Sequence, residues 1–257
     1  MTTLVLEQVE TMRSVKKIGH ITPSCNTVLE HVTTLIANPL AHRVSTHFAR
    51  FPVGNISMSD ADRRQFTPET MVAAARSLTD AFMDAILWNG TSACWNGIES
   101  DVEICEQITH ETGVPASTTT LAQLEIFDRY GIGSFALAVP YTDEITAQTI
   151  ATFGEAGYAA VSHANLELTV GRDMANVPFS QIKQLIRDAD SPDAECVIVV
   201  CTGLPAAFVV EEMERELGKP VYDSVVVTAA KGLELVGITE PVDGWGSLMR
   251  RASSVSG

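Results

Sequence analysis

The chain has 257 residues, of which 46% are hydrophobic and 19% charged, a composition that supplies a buried core and excludes a disordered chain. Acidic residues outnumber basic ones by 32 to 17, which gives a formal net charge of −15. Because nucleic acid and anionic lipid are bound mainly through Lys and Arg, this charge excludes both as expected partners and leaves a small molecule as the expected ligand.

Short apolar runs alternate with longer amphipathic stretches, a pattern typical of βα units around a parallel sheet. The predicted strands are, in chain order, Lys17–Ile21, Val44–Phe48, Ala85–Trp88, Val114–Ser117, Phe135–Val139, Ala159–His163, Val197–Val200 and Pro220–Val225. Helices are predicted between them, among them Thr67–Phe82, which has Pro68 near its start, and Glu99–Glu111. The sequence therefore predicts an α/β fold.

Neither a membrane span nor a secretion signal is predicted. No apolar run approaches the roughly 20 residues that cross a bilayer. The N-terminal stretch carries Glu7 and Glu10, where a signal peptide needs a basic start and an apolar run. We therefore expect a soluble, cytoplasmic protein.

Three motifs of the first half recur in the same order in the second half. ITPSCNT corresponds to AVPYTDE, WNGTS to VVCTG, and the Gly-Val-Pro at 113–115 to the Gly-Lys-Pro at 218–220. The repeat indicates a duplicated α/β lobe and places Gly90 opposite Cys201. We expect an N-terminal lobe of residues 1–120 with 226–257 and a C-terminal lobe of residues 121–225.

Four turns follow predicted strands at the end where parallel α/β sheets bind ligands. They are Pro23–Thr27, Gly90–Ser92, Pro140–Asp143 and Cys201–Gly203. If the two lobes face each other, all four turns line one cleft. Each turn precedes a predicted helix, whose free N–H groups and dipole favour an anion, so the expected ligand is a small carboxylate or dicarboxylate.

Cys201 is the first candidate for chemistry. It follows an apolar run and precedes a predicted helix, and a thiol at a helix N-terminus has a lowered pKa that suits proton exchange near neutral pH. The alternative is a buried cysteine that acts as a small hydrophobe. Cys94 and Cys25 are candidates for a second thiol, whereas Cys105 is expected in the core.

Polar side chains near the predicted turns are candidates for binding a carboxylate or an oxyanion. The adjacent hydroxyls of Thr91 and Ser92 suit this role, although the segment also fits an ordinary glycine turn. Asn26, with Ser24, either binds a carboxylate or caps the helix that begins near residue 28. The remaining candidate donors are Tyr141, Thr202, Gly203 and Asn165.

Neither a metal nor a cofactor is expected. The six histidines form no HExxH spacing, and the five cysteines form no CxxC pair, so zinc and a disulfide framework are both disfavoured. The sequence has no GxGxxG that opens a helix, no GxxxxGK[ST] phosphate loop and no GxSxG elbow. Nucleotide cofactors and a serine hydrolase mechanism are therefore not predicted.

The motifs ITPSCNTVLE, WNGTSACWNG, ETGVPASTTT, AVPYTDE, VIVVCTGLPA and VYDSV together resemble the maleate isomerase and arylmalonate decarboxylase branch of the aspartate/glutamate racemase superfamily. The likeness runs from about Lys17 to Trp245. It implies two flavodoxin-like lobes with parallel sheets, related by a pseudo-twofold axis, with the active site in the cleft between them and no cofactor. Racemases and isomerases of the group resemble one another in having one cysteine per lobe. The second-lobe cysteine maps onto Cys201, and Gly90 stands at the first-lobe position.

A glycine followed by Thr and Ser, with one cysteine in the second lobe, resembles arylmalonate decarboxylase. The resemblance implies that Thr91, Ser92 and Tyr141 hold an enediolate that forms as CO₂ leaves. Cys201 would then protonate this intermediate on one face. The expected function is the decarboxylation of a substituted malonate, a reaction that generates its own carbanion and needs one acid.

The N-terminal motif indicates an alternative. The PSCNT sequence at 23–27 resembles the maleate isomerase pattern, in which the position of Asn26 binds a substrate carboxylate, and Asn165 falls near another substrate-binding position. The alternative is a maleate-type cis–trans isomerase or an Asp/Glu/hydantoin-type racemase with Cys94 or Cys25 as the second thiol. A third hypothesis is a protein that binds a carboxylate without catalysis. The sequence is also compatible with a homo-oligomer.

Overall fold

The computed structural model describes residues 14–251, which form two parallel four-stranded sheets. The strands of the first sheet are β1 (Lys16–Pro23), β2 (Val44–Phe51), β3 (Ala85–Trp88) and β4 (Ala116–Thr118). Those of the second are β5 (Ser134–Ala138), β6 (Ala159–Ala164), β7 (Cys196–Val199) and β8 (Val221–Asp223). The predicted α/β class and all eight predicted strands are confirmed. The acidic N-terminal stretch with Glu7 and Glu10 lies outside the described residues.

The helices lie between the strands. They are α1 (Leu29–Ala37), α2 (Asp60–Arg63), α3 (Pro68–Thr79), α4 (Ala93–Asn96), α5 (Ile98–Thr112), α6 (Thr119–Tyr130), α7 (Asp143–Glu155), α8 (Gly171–Ala175), α9 (Phe179–Ala189), α10 (Val210–Leu217), α11 (Ser224–Leu235) and α12 (Ser247–Arg251). Two 3₁₀ turns, Asn38–Leu40 and Ala206–Val209, complete the described structure. None of the helices in residues 14–251 is long and apolar enough to cross a bilayer.

Several predicted element ends differ from the structure, and three of the differences have a clear local reason. The helix predicted to reach Phe82 ends at Thr79, because Phe82 has a left-handed φ of 55° that an α-helix does not accommodate. The fourth strand begins after Pro115, which has no N–H to contribute to a ladder. The last strand ends at Asp223, because the Asp223 carboxylate accepts from the N–H groups of residues 225 and 226 and caps α11.

The two sheets repeat one topology. Their strand orders are β2-β1-β3-β4 and β6-β5-β7-β8, so the first strand of each lobe lies between the second and the third. Trp88, the last residue of β3, pairs with Ile21 of β1, and Val199, the last residue of β7, pairs with Ala138 of β5. Trp88 and Val199 are therefore structural equivalents, and the residues two positions further on are Gly90 and Cys201.

The helix after the last strand of each lobe packs on the opposite sheet. On α6, the ring of Phe127 stacks on Phe135 of β5, with centroids 5.3 Å apart. On α11, a methyl group at Gly232 would lie 2.7 Å from Leu87 of β3, so this helix lies directly on the first sheet. Helices α6 and α11 therefore connect the two lobes, because each packs on the sheet of the other lobe. The packing of α11 is compatible with grouping residues 226–257 with the first lobe, although that boundary stays a prediction.

Candidate active site

The carboxyl ends of the central strands face a cleft between the two sheets. The cleft holds about 450 Å³ of space between protein atoms, its open mouth included. All four turns predicted from the sequence contribute to its lining. The residues they supply are Pro23, Cys25, Asn26, Gly90, Thr91, Ser92, Tyr141, Cys201, Thr202 and Gly203.

Three candidate site residues are absent from the cleft lining. The Ser24 hydroxyl accepts from the N–H of residue 53 at 3.1 Å and holds the loop that follows β2. The Cys94 thiol is buried within α4, 3.8 Å from the Thr120 hydroxyl, and burial raises its pKa to about 12. The Asn165 amide donates to the Asp143 carboxylate at 2.7 Å. Their positions do not favour the direct ligand or second-thiol roles considered for them.

The Cys201 thiol is buried in the cleft wall after β7. The sulfur accepts from the N–H of Gly203 at 3.3 Å, and the thiol donates to the sulfur of Met174 at 3.9 Å. The Cys201 main-chain N–H donates to the Ser224 hydroxyl at 3.2 Å, and that hydroxyl donates to the Val199 carbonyl at 2.9 Å. These bonds fix the thiol at the end of the strand.

The predicted lowering of the Cys201 pKa was wrong. Burial raises this pKa to about 11, and the hydrogen bonds from Tyr141 and from the N–H groups of Gly203 and Leu204 oppose that rise only in part. The predicted helix dipole acts weakly, because α10 begins only at Val210 after a 3₁₀ turn. At neutral pH the side chain is therefore a thiol, which can donate a proton, and not a thiolate.

Hydroxyl groups of both lobes converge beside Cys201. The Tyr141 hydroxyl lies 3.2 Å from the Thr91 hydroxyl, and burial raises the Tyr141 pKa well above its ordinary value, so the phenol stays a donor. The Ser92 hydroxyl is buried and lacks a hydrogen-bond partner in the described structure. Because a buried hydroxyl without a partner is costly, Ser92 is ready to donate to a ligand.

Asn26 links the two lobes across the cleft. Its side-chain oxygen accepts from the N–H groups of residues 28 and 29, at 2.9 and 3.0 Å, and so caps the start of α1. Its amide nitrogen donates to the Thr202 hydroxyl at 3.2 Å, and Thr202 donates to the Asn89 carbonyl at 3.2 Å. Asn26 therefore caps the start of α1 and also lines the cleft; its binding of a substrate carboxylate stays a prediction.

Sequence reasoning missed most of the apolar wall. Val53, Ile56 and Phe66 come from the segment after β2, and Met174 comes from α8. Such loop residues carry no motif, and only the folded chain brings them together. Trp95 is also buried and lines the cleft, and its ring meets that of Tyr141 edge-on, with centroids 5.3 Å apart.

Cys25 is the second thiol of the cleft lining. It is half-buried, and burial raises its pKa, an effect that the nearby Arg50 partly opposes. It lies on the loop after β1, away from the strand end that corresponds to Cys201. Among residues 14–251, no three His, Cys, Asp or Glu side chains lie together in a way that could hold a metal ion.

The duplicated α/β fold places a buried thiol among hydroxyl donors in a cleft between two lobes, and comparison with known proteins identifies the family. The sequence model of arylmalonate decarboxylase matches residues 45–249, so the chain belongs to the arylmalonate decarboxylase family. The resemblance seen in the motifs is thereby confirmed. This family consists of enzymes, which also confirms the expectation of an enzyme over a protein that only binds.

Two kinds of relative share the fold. The arylmalonate decarboxylase of Bordetella bronchiseptica is 27% identical over 159 residues, which cover 61% of this chain and 66% of that protein. The crystal structure of maleate isomerase Iso from Pseudomonas putida S16 has a TM-score of 0.84 at 18% identity, over 93% of this chain and 99% of that one. A Nocardia farcinica maleate cis-trans isomerase variant has a TM-score of 0.82 at 21% identity, over 92% and 99%, and holds a covalently bound succinylcysteine intermediate.

Proposed function

We propose that the enzyme decarboxylates a substituted malonate without a cofactor and that Cys201 donates the proton. The observation that carries the proposal is the asymmetry of the paired strand ends, with Cys201 after β7 and Gly90 at the matching position after β3. Loss of CO₂ leaves a carbanion without help from a base. One acid therefore completes the reaction, whereas racemisation of a carbon acid needs a group on each face.

The retained carboxylate would bind at hydroxyls of both lobes, Thr91 and Ser92 of the first and Tyr141 of the second. As CO₂ leaves, negative charge moves onto this carboxylate and forms an enediolate. Ser92 has a free donor, and Thr91 and Tyr141 lie beside it as a hydrogen-bonded pair. Donors held in place where charge develops stabilise the transition state, because they need no reorganisation during the reaction.

The leaving carboxylate and the carbon substituent would face the apolar wall. Val53, Ile56, Phe66 and Met174 offer no hydrogen bond to a carboxylate. A charged group beside such side chains loses solvation, and its departure as neutral CO₂ relieves that cost. The rings of Phe66 and Trp95 give an aromatic substituent suitable contact surface.

The final step moves a proton from the Cys201 sulfur to the carbon that lost CO₂. The carbon–hydrogen bond forms from the electron pair of the enediolate, and the sulfur keeps the pair of its former S–H bond. The N–H of Gly203 and the hydroxyl of Tyr141 stabilise the resulting thiolate. Water then returns a proton to the sulfur, so the sum is malonate plus one proton giving monoacid plus CO₂.

Proton NMR in D₂O tests the proposal, with 2-methyl-2-phenylmalonate and maleate in separate tubes. The expected product is 2-phenylpropionate with one deuterium on its α-carbon, and maleate is expected to remain unchanged. A malonate that stays intact contradicts the proposal. Fumarate formed from maleate would favour the isomerase instead.

Cys25 supports a second candidate, a cis–trans isomerase of a maleate-type acid. Its thiol lines the same cleft as Cys201 and Asn26, as a mechanism with two thiols requires. This candidate predicts that Cys25→Ser loses fumarate formation, while Cys94→Ala keeps it because Cys94 is outside the lining. Maleate conversion by Cys25→Ser at the rate of the unmodified enzyme removes the candidate.

A further inference from the structure

The third strands of the two lobes, β3 and β7, end in side chains of different size. β3 ends in Trp88, with Gly90 two residues on, whereas β7 ends in Val199, with Cys201 two residues on. The second lobe therefore carries two side chains of moderate size at these positions, whereas the first lobe carries one very large side chain and a residue without a side chain.

The Trp88 ring, and not the backbone, requires glycine at position 90. The φ of Gly90 is outside the left-handed region, so its backbone conformation accepts other residues. A methyl group built on Gly90, however, would lie 2.5 Å from Cε2 of Trp88 and still closer to Cζ2 and Cη2. These separations are far below the optimum of about 3.5–4.0 Å between carbon atoms.

The Trp88 ring is held where it is. It is fully buried and lines the cleft, and its neighbours are Phe51 and Phe66, with ring centroids 5.3 and 6.1 Å away. Moving the indole away from Gly90 would require these rings to move as well, because a close-packed interior offers little spare space. The overlap therefore excludes a side chain at position 90.

We propose that Trp88 determines specificity by keeping position 90 a glycine: its indole occupies the space that a first-lobe thiol would need, so Cys201 is left as the thiol that serves the reacting carbon. The inference rests on the proposed decarboxylation. It assigns Trp88 no part in the proton transfer itself. Its consequence is that a thiol at position 90 needs a smaller residue at position 88 before it can act.

The gain of a second thiol would appear as racemisation of the product. A thiolate at position 90 would take the α-proton of the monoacid and leave an enediolate. Cys201 would then deliver its own proton to the opposite face, so the composition of the acid is unchanged. The two sulfur atoms would end with exchanged protonation states, which water restores.

A stability cycle tests the steric part without any substrate. Gly90→Ala should lower the melting temperature by about 5 °C, since overpacking of a core is destabilising. In a Trp88→Phe background, which keeps an aromatic ring but removes the outer indole atoms, the same change should cost much less. Gly203→Ala is the matched control, because its methyl group would lie 3.6 Å from the nearest atom, the sulfur of Cys201. Equal losses at position 90 in both backgrounds would overturn the assignment.

Racemisation of enantiopure 2-phenylpropionate in D₂O tests the specificity. The Trp88→Phe/Gly90→Cys variant should racemise and deuterate the acid about 10²-fold faster than Gly90→Cys or Trp88→Phe alone. Trp88→Val/Gly90→Cys, which copies the Val-x-Cys pattern of the second lobe, provides a second variant if the first is unstable. A folded Gly90→Cys enzyme that racemises as fast as the double variants overturns the proposal, as does a folded double variant without the gain. If the malonate is not decarboxylated but the stability cycle shows relief, the proposed function fails and the steric assignment stands.

Discussion

The two lobes share one topology and contribute different chemistry. At the end of its third strand, the second lobe presents a buried thiol. At the same place, the first lobe presents a glycine under an indole, followed by the hydroxyls of Thr91 and Ser92. The repeated fold thus provides two equivalent backbone positions, and these positions carry different side chains. In the proposed reaction the second lobe gives the proton through Cys201, and the hydroxyls of Thr91 and Ser92, together with Tyr141 of the second lobe, hold the charge.

Removing the thiol of the second lobe should have the largest effect on activity. Cys201→Ala deletes the proton donor, so we expect turnover of the malonate to fall by about 10³-fold or more. Steady-state CO₂ release measures this loss. Cys105→Ala is the control, because this thiol lies on α5 outside the cleft lining. Full turnover by Cys201→Ala would show that the two strand ends do not differ in the way proposed.

Removing a hydroxyl that would stabilise the enediolate should lower activity less than removing the thiol. Tyr141→Phe keeps the ring beside Trp95 but removes the hydroxyl next to Thr91, so kcat/KM should fall by about 10²-fold. Tyr158→Phe is the matched control, because the Tyr158 hydroxyl donates to Asp128 and its residue is outside the cleft lining. Equal kcat/KM values for the two variants would show that the Tyr141 hydroxyl takes no part in the reaction.

Each lobe also buries a carboxyl group, and the pH dependence of stability tests the one in the first lobe. Burial raises the pKa of Asp101 from 3.8 to about 7. Between about pH 4 and pH 7 the unfolded chain loses this proton while the folded chain keeps it, so the free energy of unfolding falls as pH rises. Asp101→Asn removes that loss, because an amide does not ionise.

The free energy of unfolding of Asp101→Asn, relative to the unmodified protein, should therefore rise by about 1–3 kcal/mol from pH 4 to pH 7. Urea denaturation at several pH values measures the difference. Asp223→Asn in the second lobe should behave in the same direction, since burial also raises the pKa of Asp223 to about 7. A difference that is independent of pH would contradict the assignment of a raised pKa.

Removing the hydrogen bond between Asn26 and Thr202, which joins the two lobes, should have the smallest effect. Asn26→Ala removes a helix cap and the bond to Thr202, so we expect a loss of about 1–2 kcal/mol in the free energy of unfolding. Asn165→Ala is the comparison, because the Asn165 amide bonds Asp143 and Thr146 within the second lobe. A larger loss for Asn165→Ala would reverse the roles given to the two amides.

The sequence predicts the fold well because its signals are local. Apolar runs mark the strands, and the motifs after them mark the turns that meet in the cleft. The pKa of Cys201 was predicted in the wrong direction, because burial of the thiol in the folded chain outweighs the hydrogen bonds that it receives from its surroundings. Two features depend on packing in three dimensions, which no spacing of residues reveals. They are the position of the Trp88 ring, which leaves no space for a side chain at Gly90, and the apolar wall to which Val53 and Met174 both contribute.

The stereochemical outcome of the decarboxylation tests most directly whether a single donor, Cys201, protonates the intermediate on one face. The measurement is chiral chromatography of the 2-phenylpropionate formed from 2-methyl-2-phenylmalonate by the unmodified enzyme. One donor on one face predicts a single enantiomer, whose configuration does not decay during prolonged incubation with the enzyme. A racemic product, or an enantiomer that the enzyme racemises, would mean that both faces receive protons and would contradict the account.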